Sequence, residues 1–389
     1  MRINAVAHHN TVFHQILSNI PWGQFSQLVE RHRGNKGVRR LDCKTQLSAL
    51  LYHQIANCDG LRGLSDGFNS HHRQLHHLGC TKISRSTLAD ANASRPPALF
   101  SDLFAALLGL AHGKLARKAR ECVHLIDSTT VRLNRLAGEW ARFSEGVHGA
   151  KAHIVYDPDA DCPIHAVITP EKVNDISAAK VMPIKAGATY VFDLGYYDYG
   201  WWAALDAADC RIVTRLKVNT PLHDIGERMI EPGGPILSDR TGLLPARQAS
   251  NRRNPMNKRV REVRVSTETG KILRLVTNDL TSPPAVIADL YKRRWAIELF
   301  FRWVKQALKI RHFLGTNENA VRIQIIVALI AFLLLRVTRE AIAPTLSPLA
   351  FARLIKVNVM HRRTIRDMLA LPEEIIRCSN EGQEAFQWA

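Results

Sequence analysis

The sequence lacks the features that mark several large classes of protein. Its seven cysteines are scattered and form no Cys-x-x-Cys pair, which argues against a disulfide framework or a structural zinc site and favours a reducing cytosol. No internal repeat of roughly 20–50 residues is visible, and the first ten residues lack the charged-then-apolar pattern of a signal peptide. Hydrophobic residues make up 46% and charged residues 23%, a globular composition that excludes a disordered or collagen-like chain.

Long apolar runs are also scarce. The most apolar run, Ile323–Leu335, has 13 residues and contains Gln324, whereas roughly 20 apolar residues are needed to cross a bilayer. We therefore expect a buried helix that packs on the core or forms a dimer contact. The same observations predict a cytoplasmic protein with no membrane partner.

Acidic residues are few relative to basic ones. The 389 residues include 53 Lys and Arg against 35 Asp and Glu, a formal net charge of +18. With a membrane set aside, this surplus predicts nucleic acid as the polyanionic partner. Residues 1–100 contain 12 basic and 5 acidic residues, and residues 252–311 contain 15 and 5. We expect phosphate-facing surfaces in both regions.

Residues 1–115 are predicted to form a helical, DNA-binding N-terminal domain. Apolar residues recur at helical spacing in Val12–Leu17, Phe25–Val29, Leu47–Ile55 and Pro97–Leu115. Between them, the segment Ser84–Arg95 has serines that can cap a short helix. Its Arg85, Thr87 and Arg95 are of types that contact phosphates and base edges, as in a helix-turn-helix-like module. An ordinary polar helix face is the alternative.

From residue 121 the pattern becomes mixed α/β. Strand-like and helix-like segments follow in the order strand Cys122–Ile126, strand Ala150–Tyr156, strand Pro163–Thr169, helix Asp175–Ala186, strand Tyr190–Phe192, helix Tyr197–Ala208 and strand Arg211–Val218. A ribonuclease-H-like core has this order. We therefore predict a ribonuclease-H-like catalytic domain over 116–345.

Two further features complete the predicted domain organisation. Residues 219–280 are rich in Gly, Pro and Arg and are predicted to be a β-rich insertion within the catalytic domain, with an exposed loop near 250–258. A helical C-terminal region with a polar tail is expected over 346–389.

Two aspartates hold the same position relative to their strands. Asp127 follows Val-His-Leu-Ile, and Asp193 follows Tyr-Val-Phe. Catalysts in α/β sheets gather at the carboxyl ends of strands, and neighbouring carboxylates can share a hard divalent cation such as Mg²⁺. A capping or turn role is the alternative for either aspartate alone.

A polar stripe follows on a very apolar helical segment. At about 100° per residue, Tyr291, Arg294, Glu298 and Lys305 fall within one sector of roughly 60°, and apolar residues cover most of the rest. The stripe either lines a site or is the one solvated face of the helix, supported by i,i+4 ion pairs.

Together these segments resemble the Asp-Asp-Glu transposases of bacterial insertion sequences. The spacing Tyr-x2-Arg-x3-Glu-x6-Lys, from Tyr291 to Lys305, matches the signature of insertion-sequence family four at all four fixed positions. The segment FDLGYYDYGWW around Asp193 resembles that family's second motif, and Leu-Ile-Asp-Ser-Thr around Asp127 resembles the first. The likeness covers about residues 8–345.

The resemblance implies an Mg²⁺-dependent DNA transposase that cuts at element ends and joins them to target DNA. Two metal ions (Mg²⁺, with Mn²⁺ as an alternative), roughly 3.5–4 Å apart, can activate the attacking oxygen and stabilise the leaving one. Asp127 would bind both ions, Asp193 one and Glu298 the other. Arg294 and Lys305 would neutralise phosphates, and Tyr291 would position a backbone oxygen.

The resemblance also implies partners. These are double-stranded DNA, as terminal inverted repeats and as target, and a second copy of the chain in a homodimeric DNA complex at the nucleoid. Relatives can pass through a DNA hairpin that needs a stacked base, but this sequence has no Trp between Trp202 and Trp295. The alternatives to a transposase are a structure-selective DNA nuclease on the same core and a catalytically inactive DNA-binding protein derived from a transposase.

Overall fold

The chain divides into two compact units. A computed structural model describes residues 11–115, 122–133, 139–144, 147–231, 233–249, 252–307, 313–343 and 345–369. The first unit, here the helical unit, comprises Met1–Phe104, Ala307–Leu314 and Ile326–Ala389. The second, here the sheet unit, comprises Ala105–Gln306 and Gly315–Ile325. The domain boundaries at 115 and 345 stay predictions, and the predicted tail lies outside the described residues.

Short helices build the N-terminal part of the helical unit, as the apolar spacing predicts. They are α1 (Val12–Leu17), α2 (Trp22–Arg31), α3 (Cys43–Ala56), α4 (Gly60–Ser70), α5 (His72–Leu75), α6 (Arg85–Ser94) and the first part of α7 (Pro97–Leu115). Helix α3 is buried along nearly its whole length. The Asp42 carboxylate caps it by accepting a hydrogen bond from the Thr45 amide at 2.7 Å. It ends at Asn57, whose left-handed backbone (φ 60°) stops the helix.

The C-terminal helices complete the same unit. Helices α13 (Pro348–Asn358) and α14 (Ile365–Leu369) flank a turn that pairs with the start of α1. The Val12 amide donates to His361 O at 3.0 Å, and the Phe13 amide donates to Val359 O at 2.8 Å. The predicted C-terminal helical region is therefore packed with the N-terminal helices.

Helix α12 (Glu318–Ile342) contains the apolar run seen in the sequence. It has 25 residues, so it extends beyond the 13-residue apolar run, and it is long and apolar enough to cross a membrane by length and composition. Residues flanking the apolar run continue the helix at both ends. In its most apolar window, 83% is buried inside the protein, which confirms the expected buried helix.

The strands of the sheet unit are mostly longer than predicted. They are β1 (Val123–Leu133), β2 (Arg142–Ser144), β3 (Val147–Asp157), β4 (Cys162–Pro170), β5 (Thr189–Phe192), β6 (Arg211–Arg215), β7 (His223–Arg228), β8 (Ile236–Leu243), β9 (Arg247–Ala249), β10 (Arg252–Arg253), β11 (Val260–Ser266) and β12 (Ile272–Thr277). Among the described residues, ten of them form one sheet in the order β2-β3-β1-β5-β6-β12-β11-β8-β7, with β4 paired to β3. Strands β1, β5 and β6 are parallel, and the other pairs in this sheet are antiparallel.

Four helices accompany this sheet: α8 (Asp175–Ala179), α9 (Tyr199–Ala207), α10 (Pro284–Arg293) and α11 (Trp295–Ala307). The predicted succession of three strands, helix, strand, helix and strand is confirmed, with the short β2 added. Helix α8 is much shorter than predicted because Pro183 lies too close for the helix to continue. The architecture is a large mixed sheet with helical segments before and after it in the chain.

The sheet corrects the predicted end of one strand and shows where the 219–280 segment lies. Strand β1 does not stop at Asp127 but runs on to Leu133, because it pairs with β3 from Leu125↔Tyr156 to Leu133↔His148. The strands of the 219–280 segment extend the main sheet, since β12 pairs with β6 at Val276↔Thr214. The insertion is therefore part of the same hydrogen-bonded sheet as β1.

An aromatic core lies where β5 ends. Phe192 packs against Trp201 with ring centroids 4.8 Å apart and against Tyr196 at 6.1 Å. Asp198 caps α9 by accepting a hydrogen bond from the Trp201 amide at 2.8 Å. Burying these rings contributes on the order of 2 kcal/mol each and anchors the backbone next to Asp193.

A buried ion pair joins β11 to β8. Arg261 and Asp239 are 1% and 2% exposed, and Arg261 Nε and Nη2 each lie 2.7 Å from an oxygen of the Asp239 carboxylate. Arg261 also donates to Ser282 O at 2.5 Å. Removing one member of such a pair leaves an uncompensated buried charge.

We therefore predict that Asp239→Ala lowers the free energy of unfolding by about 3–5 kcal/mol. Chemical denaturation followed by circular dichroism measures this. The matched control is Asp224→Ala, which breaks the exposed Arg259–Asp224 pair and should cost about 1 kcal/mol or less. Equal losses in the two variants would contradict the role of the buried pair.

Candidate active site

The parallel pairing of β1 and β5 brings two aspartates side by side. Ile126 pairs with Phe192, so Asp127 and Asp193 follow matched positions on neighbouring strands. The Asp127 Oδ1 accepts a hydrogen bond from the Ser128 amide at 2.7 Å. The Asp193 Oδ1 accepts one from the Gly195 amide at 2.8 Å. Each carboxylate thus keeps one oxygen fixed by backbone.

The third element of the site comes from the junction of α10 and α11. The predicted continuous helix is interrupted at Arg294, whose amide donates to Tyr291 O at 3.1 Å in a tighter turn. Tyr291 is buried near the end of α10. Glu298 lies in the first turn of α11, and Lys305 lies half-buried near its end.

Arg294 connects this junction to the sheet. Its Nη1 lies 3.6 Å from Asp127 Oδ2, its Nη2 forms an i,i+4 ion pair with Glu298 Oε1, and its guanidinium carbon lies 5.7 Å from the centre of the Tyr291 ring. Three of the four residues of the stripe are therefore brought together, and Asp127 joins them. Lys305 lies seven residues beyond Glu298 on the same helix.

The electrostatics show that the carboxylates share one environment. Burial raises the pKa of Asp127 to about 6, and the charges of Asp193 and Glu298 act in the same direction. The Ser128 amide and Arg294 oppose the rise. Desolvation and like charges both disfavour a carboxylate anion, so a cation beside Asp127 favours its ionised form.

A second arginine and the tyrosine share this environment. Burial raises the pKa of Tyr291, whereas Arg294 and Arg215, at the end of β6, act to lower it. Burial acts to lower the pKa of Arg294, but Tyr291, Glu298 and Asp127 outweigh it and raise that pKa. Arg294 is therefore a permanent cation among acidic groups, and Arg215 adds a second positive charge that the sequence did not indicate.

The donor chemistry suits a hard divalent cation, since carboxylate oxygens are the ligands that Mg²⁺ prefers. In the described part of the chain, no three His, Cys, Asp or Glu side chains are grouped so as to hold a metal ion. The ion pairs with Arg294 engage both Asp127 and Glu298. The carboxylates therefore attract a cation, and in this structure the Arg294 guanidinium lies beside them.

The predicted DNA contacts on α6 divide into two kinds, and the first is exposed. Arg85 points to solvent at the start of the helix. Ser84 caps the helix by accepting a hydrogen bond from the Thr87 amide at 3.2 Å, and its hydroxyl also donates to Thr87 Oγ1 at 2.7 Å. Thr87 therefore takes part in the cap, whereas the Arg85 side chain is exposed to solvent.

Arg95 is of the second kind, because it is only 5% exposed. Its guanidinium donates to Gln46 Oε1 at 2.6 Å and to the Leu41 carbonyl. Its place corrects the sequence interpretation, since hydrogen-bonding groups turned inward cannot reach a phosphate. Arg95 instead ties the end of α6 to the start of α3.

Sequence reasoning missed several polar residues that pack around the aspartates. Besides Arg215, they are Ser128, Lys151, Asp175 and Tyr196. Ser128 stands in the first motif beside Asp127 and could have been suspected. Nothing in the sequence pointed to a functional role for Asp175, because an acidic residue in the first turn of a helix is common.

Comparison with known proteins identifies the family. Residues 118–334 match the family described as Transposase DDE domain, and residues 8–81 match a domain of unknown function, DUF4372. A Sinorhizobium fredii protein named as transposase y4zB is 42% identical over 282 residues, which are 72% of this chain and 78% of that protein. A Geobacillus stearothermophilus protein named as a transposase for insertion sequence element IS5377 is 31% identical over 264 residues, 65% of this chain and 68% of that one.

A solved structure, a piggyBac transposase synaptic complex with hairpin DNA, aligns with a TM-score of 0.41 and 12% identity over 93% of this chain and 81% of that chain. A similarity at that level carries no weight here. The family match covers more than half of the 389 residues and includes every residue of the acidic site. The chain therefore belongs to the Transposase DDE domain family and is an insertion-sequence DNA transposase.

Proposed function

We propose that Asp127, Asp193 and Glu298 are the catalytic triad of this transposase, set on a ribonuclease-H-like core. The observation that carries the proposal is the place of Arg294, which pairs with both Asp127 and Glu298 while Asp193 stands at the matched position of the neighbouring strand. Helix and sheet thus contribute carboxylates to one environment. The order β4-β3-β1-β5-β6, with β1, β5 and β6 parallel, supports the proposed core.

These residues would hold divalent metal, which we propose to be two Mg²⁺ ions, with Mn²⁺ as a substitute. Asp127 would bind both ions, Asp193 one and Glu298 the other. When bound, the metal lowers the pKa of the attacking water or hydroxyl and stabilises the leaving oxygen. The protein's part is to keep Asp127 ionised, through the Ser128 amide and Arg294, and to exclude water from its buried side.

The basic residues beside the triad would hold the DNA backbone. Arg294 and Arg215 lie in the acidic environment, and Lys305 follows on the same helix as Glu298. We propose that Arg294 and Lys305 neutralise phosphates and that Tyr291 positions a backbone oxygen. The proposed assignment to insertion-sequence family four rests on the spacing of Tyr291, Arg294, Glu298 and Lys305.

End recognition is proposed for the helical unit, with Arg85 as a phosphate contact and Thr87 beside it. In this proposal the substrates are the terminal inverted repeats and target DNA, held by a homodimer at the nucleoid in the bacterial cytoplasm. Phosphate contacts position a protein on DNA and are weakened by salt. The basic surplus of residues 1–100 supports this role.

Substituting the triad tests the proposal. Asp127→Asn, Asp193→Asn and Glu298→Gln keep side-chain size but remove a metal-binding charge. We expect each to reduce Mg²⁺-dependent cleavage of element-end DNA by more than about 100-fold, beyond the loss typical of a residue that only supports a ligand. Single-turnover cleavage assays measure the rate, and gel shifts should show DNA binding retained.

The matched control for the triad is Asp206→Ala. Asp206 pairs with Lys258 at 2.7 Å, away from the three carboxylates' contacts, so cleavage should stay near the wild-type rate. Wild-type-like cleavage by any one triad variant would contradict that residue's assignment. Cleavage without joining would favour a structure-selective nuclease, and binding without cleavage an inactive DNA-binding protein.

The role of Arg85 has its own test. Arg85→Ala should weaken binding to element-end DNA and make the slope of log K against log salt shallower by about 0.9, the value for one lost phosphate contact. Fluorescence anisotropy over a salt series measures the slope. Arg366→Ala, an exposed arginine of α14, should leave it unchanged, and an equal change in both variants would count against a specific contact.

A further inference from the structure

A second polar cluster lies beside the aspartates and is not part of the triad. Asp175, in the first turn of α8, accepts a hydrogen bond from the Ser128 hydroxyl at 2.9 Å. The same oxygen, Oδ1, accepts one from Lys151 Nζ at 3.1 Å. Lys151 also donates to Val173 O at 3.4 Å, so it holds both the side chain and the backbone of this turn.

Through Ser128, Asp175 is connected to Asp127. Successive side chains of a strand point to opposite faces of the sheet, so Ser128 and Asp127 face in opposite directions on β1. Ser128 pairs across the sheet with His153, and its amide donates to Asp127 Oδ1 at 2.7 Å. The Ser128–Asp175 hydrogen bond therefore lies on one face of β1, and the Asp127 carboxylate lies on the other. It restrains Ser128, whose amide orients that carboxylate.

Asp175 also adjoins the segment that carries Asp193. A Cβ placed on Gly195 would lie 3.1 Å from Asp175 Oδ2 and 3.0 Å from Asp193 Oδ1. The two carboxylates thus flank the same glycine, whose amide binds Asp193. A side chain at this position would crowd both carboxylates, which would have to shift by a few tenths of an ångström.

The next residue, Tyr196, interacts electrostatically with Asp175 and with both aspartates of the proposed triad. It is fully buried. Burial raises its pKa well above the usual value, and the charges of Asp175, Asp127 and Asp193 add to the rise. One phenol group thus senses all three carboxylates, which places Asp175 in the same environment as the two aspartates of the triad.

The charge of Asp175 is balanced by Lys151, whereas a single arginine, Arg294, is shared by two carboxylates of the proposed triad. His153, the other neighbour, is buried, and its Nδ1 lies 3.6 Å from Asp175 Oδ1. Burial lowers the pKa of His153 to about 4, so the imidazole is neutral at physiological pH. Lys151 is therefore the charge partner, and the Oδ1 that faces it is occupied by two donors.

We propose that Asp175 is a positioning residue for the transposition reaction, which holds the segments of Asp127 and Asp193 in register through Ser128 and Gly195. This inference rests on the proposed triad. Asp175 does not cap α8, because its Oδ1 accepts from Ser128 and Lys151 and the N-cap position is Asn174. It acts on the catalytic carboxylates through other residues and does not itself bind the metal.

The test compares Asp175→Asn, Ser128→Ala and the double variant in single-turnover cleavage of element-end DNA with Mg²⁺. Each single variant should cleave about 10–100-fold more slowly, as for residues that orient metal ligands. The half-saturating Mg²⁺ concentration and the Kd for DNA should stay within about twofold of wild type. Because the two residues act in one link, the double variant should be no slower than the slower single variant.

The outcomes separate this proposal from the triad itself. Wild-type rates in Ser128→Ala, or losses that multiply in the double variant, would overturn the link. A rise in half-saturating Mg²⁺ together with a loss as large as that of Asp127→Asn would show that Asp175 is a ligand instead. Ser128→Ala removes a single oxygen and keeps the test decisive if thermal unfolding shows that Asp175→Asn is unfolded.

The control is again Asp206→Ala, an aspartate paired with a lysine outside this cluster. It should cleave at the wild-type rate, so a comparable loss there would make the effect of Asp175 merely structural and overturn the proposal. A wild-type protein that does not cleave would overturn the proposed function and this inference together. Normal cleavage by wild type and all Asp175 and Ser128 variants would overturn this inference alone.

Discussion

Repulsion among carboxylates is the constraint on which this site depends. The parallel pairing of β1 and β5 sets Asp127 beside Asp193, and the α10–α11 junction adds Glu298. Burial and these like charges raise the pKa of Asp127 to about 6, so the arrangement is costly without a compensating cation. Arg294 supplies that charge in this structure by pairing with Asp127 and Glu298.

The helix is interrupted at the residue that supplies this charge. The tighter turn at Tyr291–Arg294 accompanies a guanidinium that reaches the sheet. A cluster of repelling carboxylates needs such a countercharge, and a delocalised arginine provides one without losing its own charge.

The restraint of Asp127 from both faces of β1 has the same origin. Arg294 acts on the face of the carboxylate, and Ser128 with Asp175 acts on the opposite face. Catalytic groups must be held closely to be effective, and this requires a second layer of hydrogen bonds around them. The Lys151–Asp175 pair lets that layer contain another carboxylate without adding a net charge to the repelling set.

Periodicity and short motifs predicted the succession of strands and helices, the serine cap of α6 and the positions of Asp127, Asp193 and the polar stripe. These depend on interactions between neighbours in the chain, which a sequence displays directly. Three features were beyond such reasoning. Strand β1 continues past Asp127 because it pairs with β3, and Arg95 turns inward because Leu41 and Gln46 accept its hydrogen bonds.

The third feature that the sequence did not predict is the role of Asp175. Its side chain is hydrogen-bonded by residues of β1 and β3, which are distant from it in the chain. The sequence by itself determined the chemical groups, their local elements and the surplus of positive charge that indicates a DNA partner. Only the tertiary structure decided which of those groups meet, because hydrogen bonds and ion pairs between distant segments depend on sheet pairing. That pairing joins β1 to strands that are distant from it in the sequence.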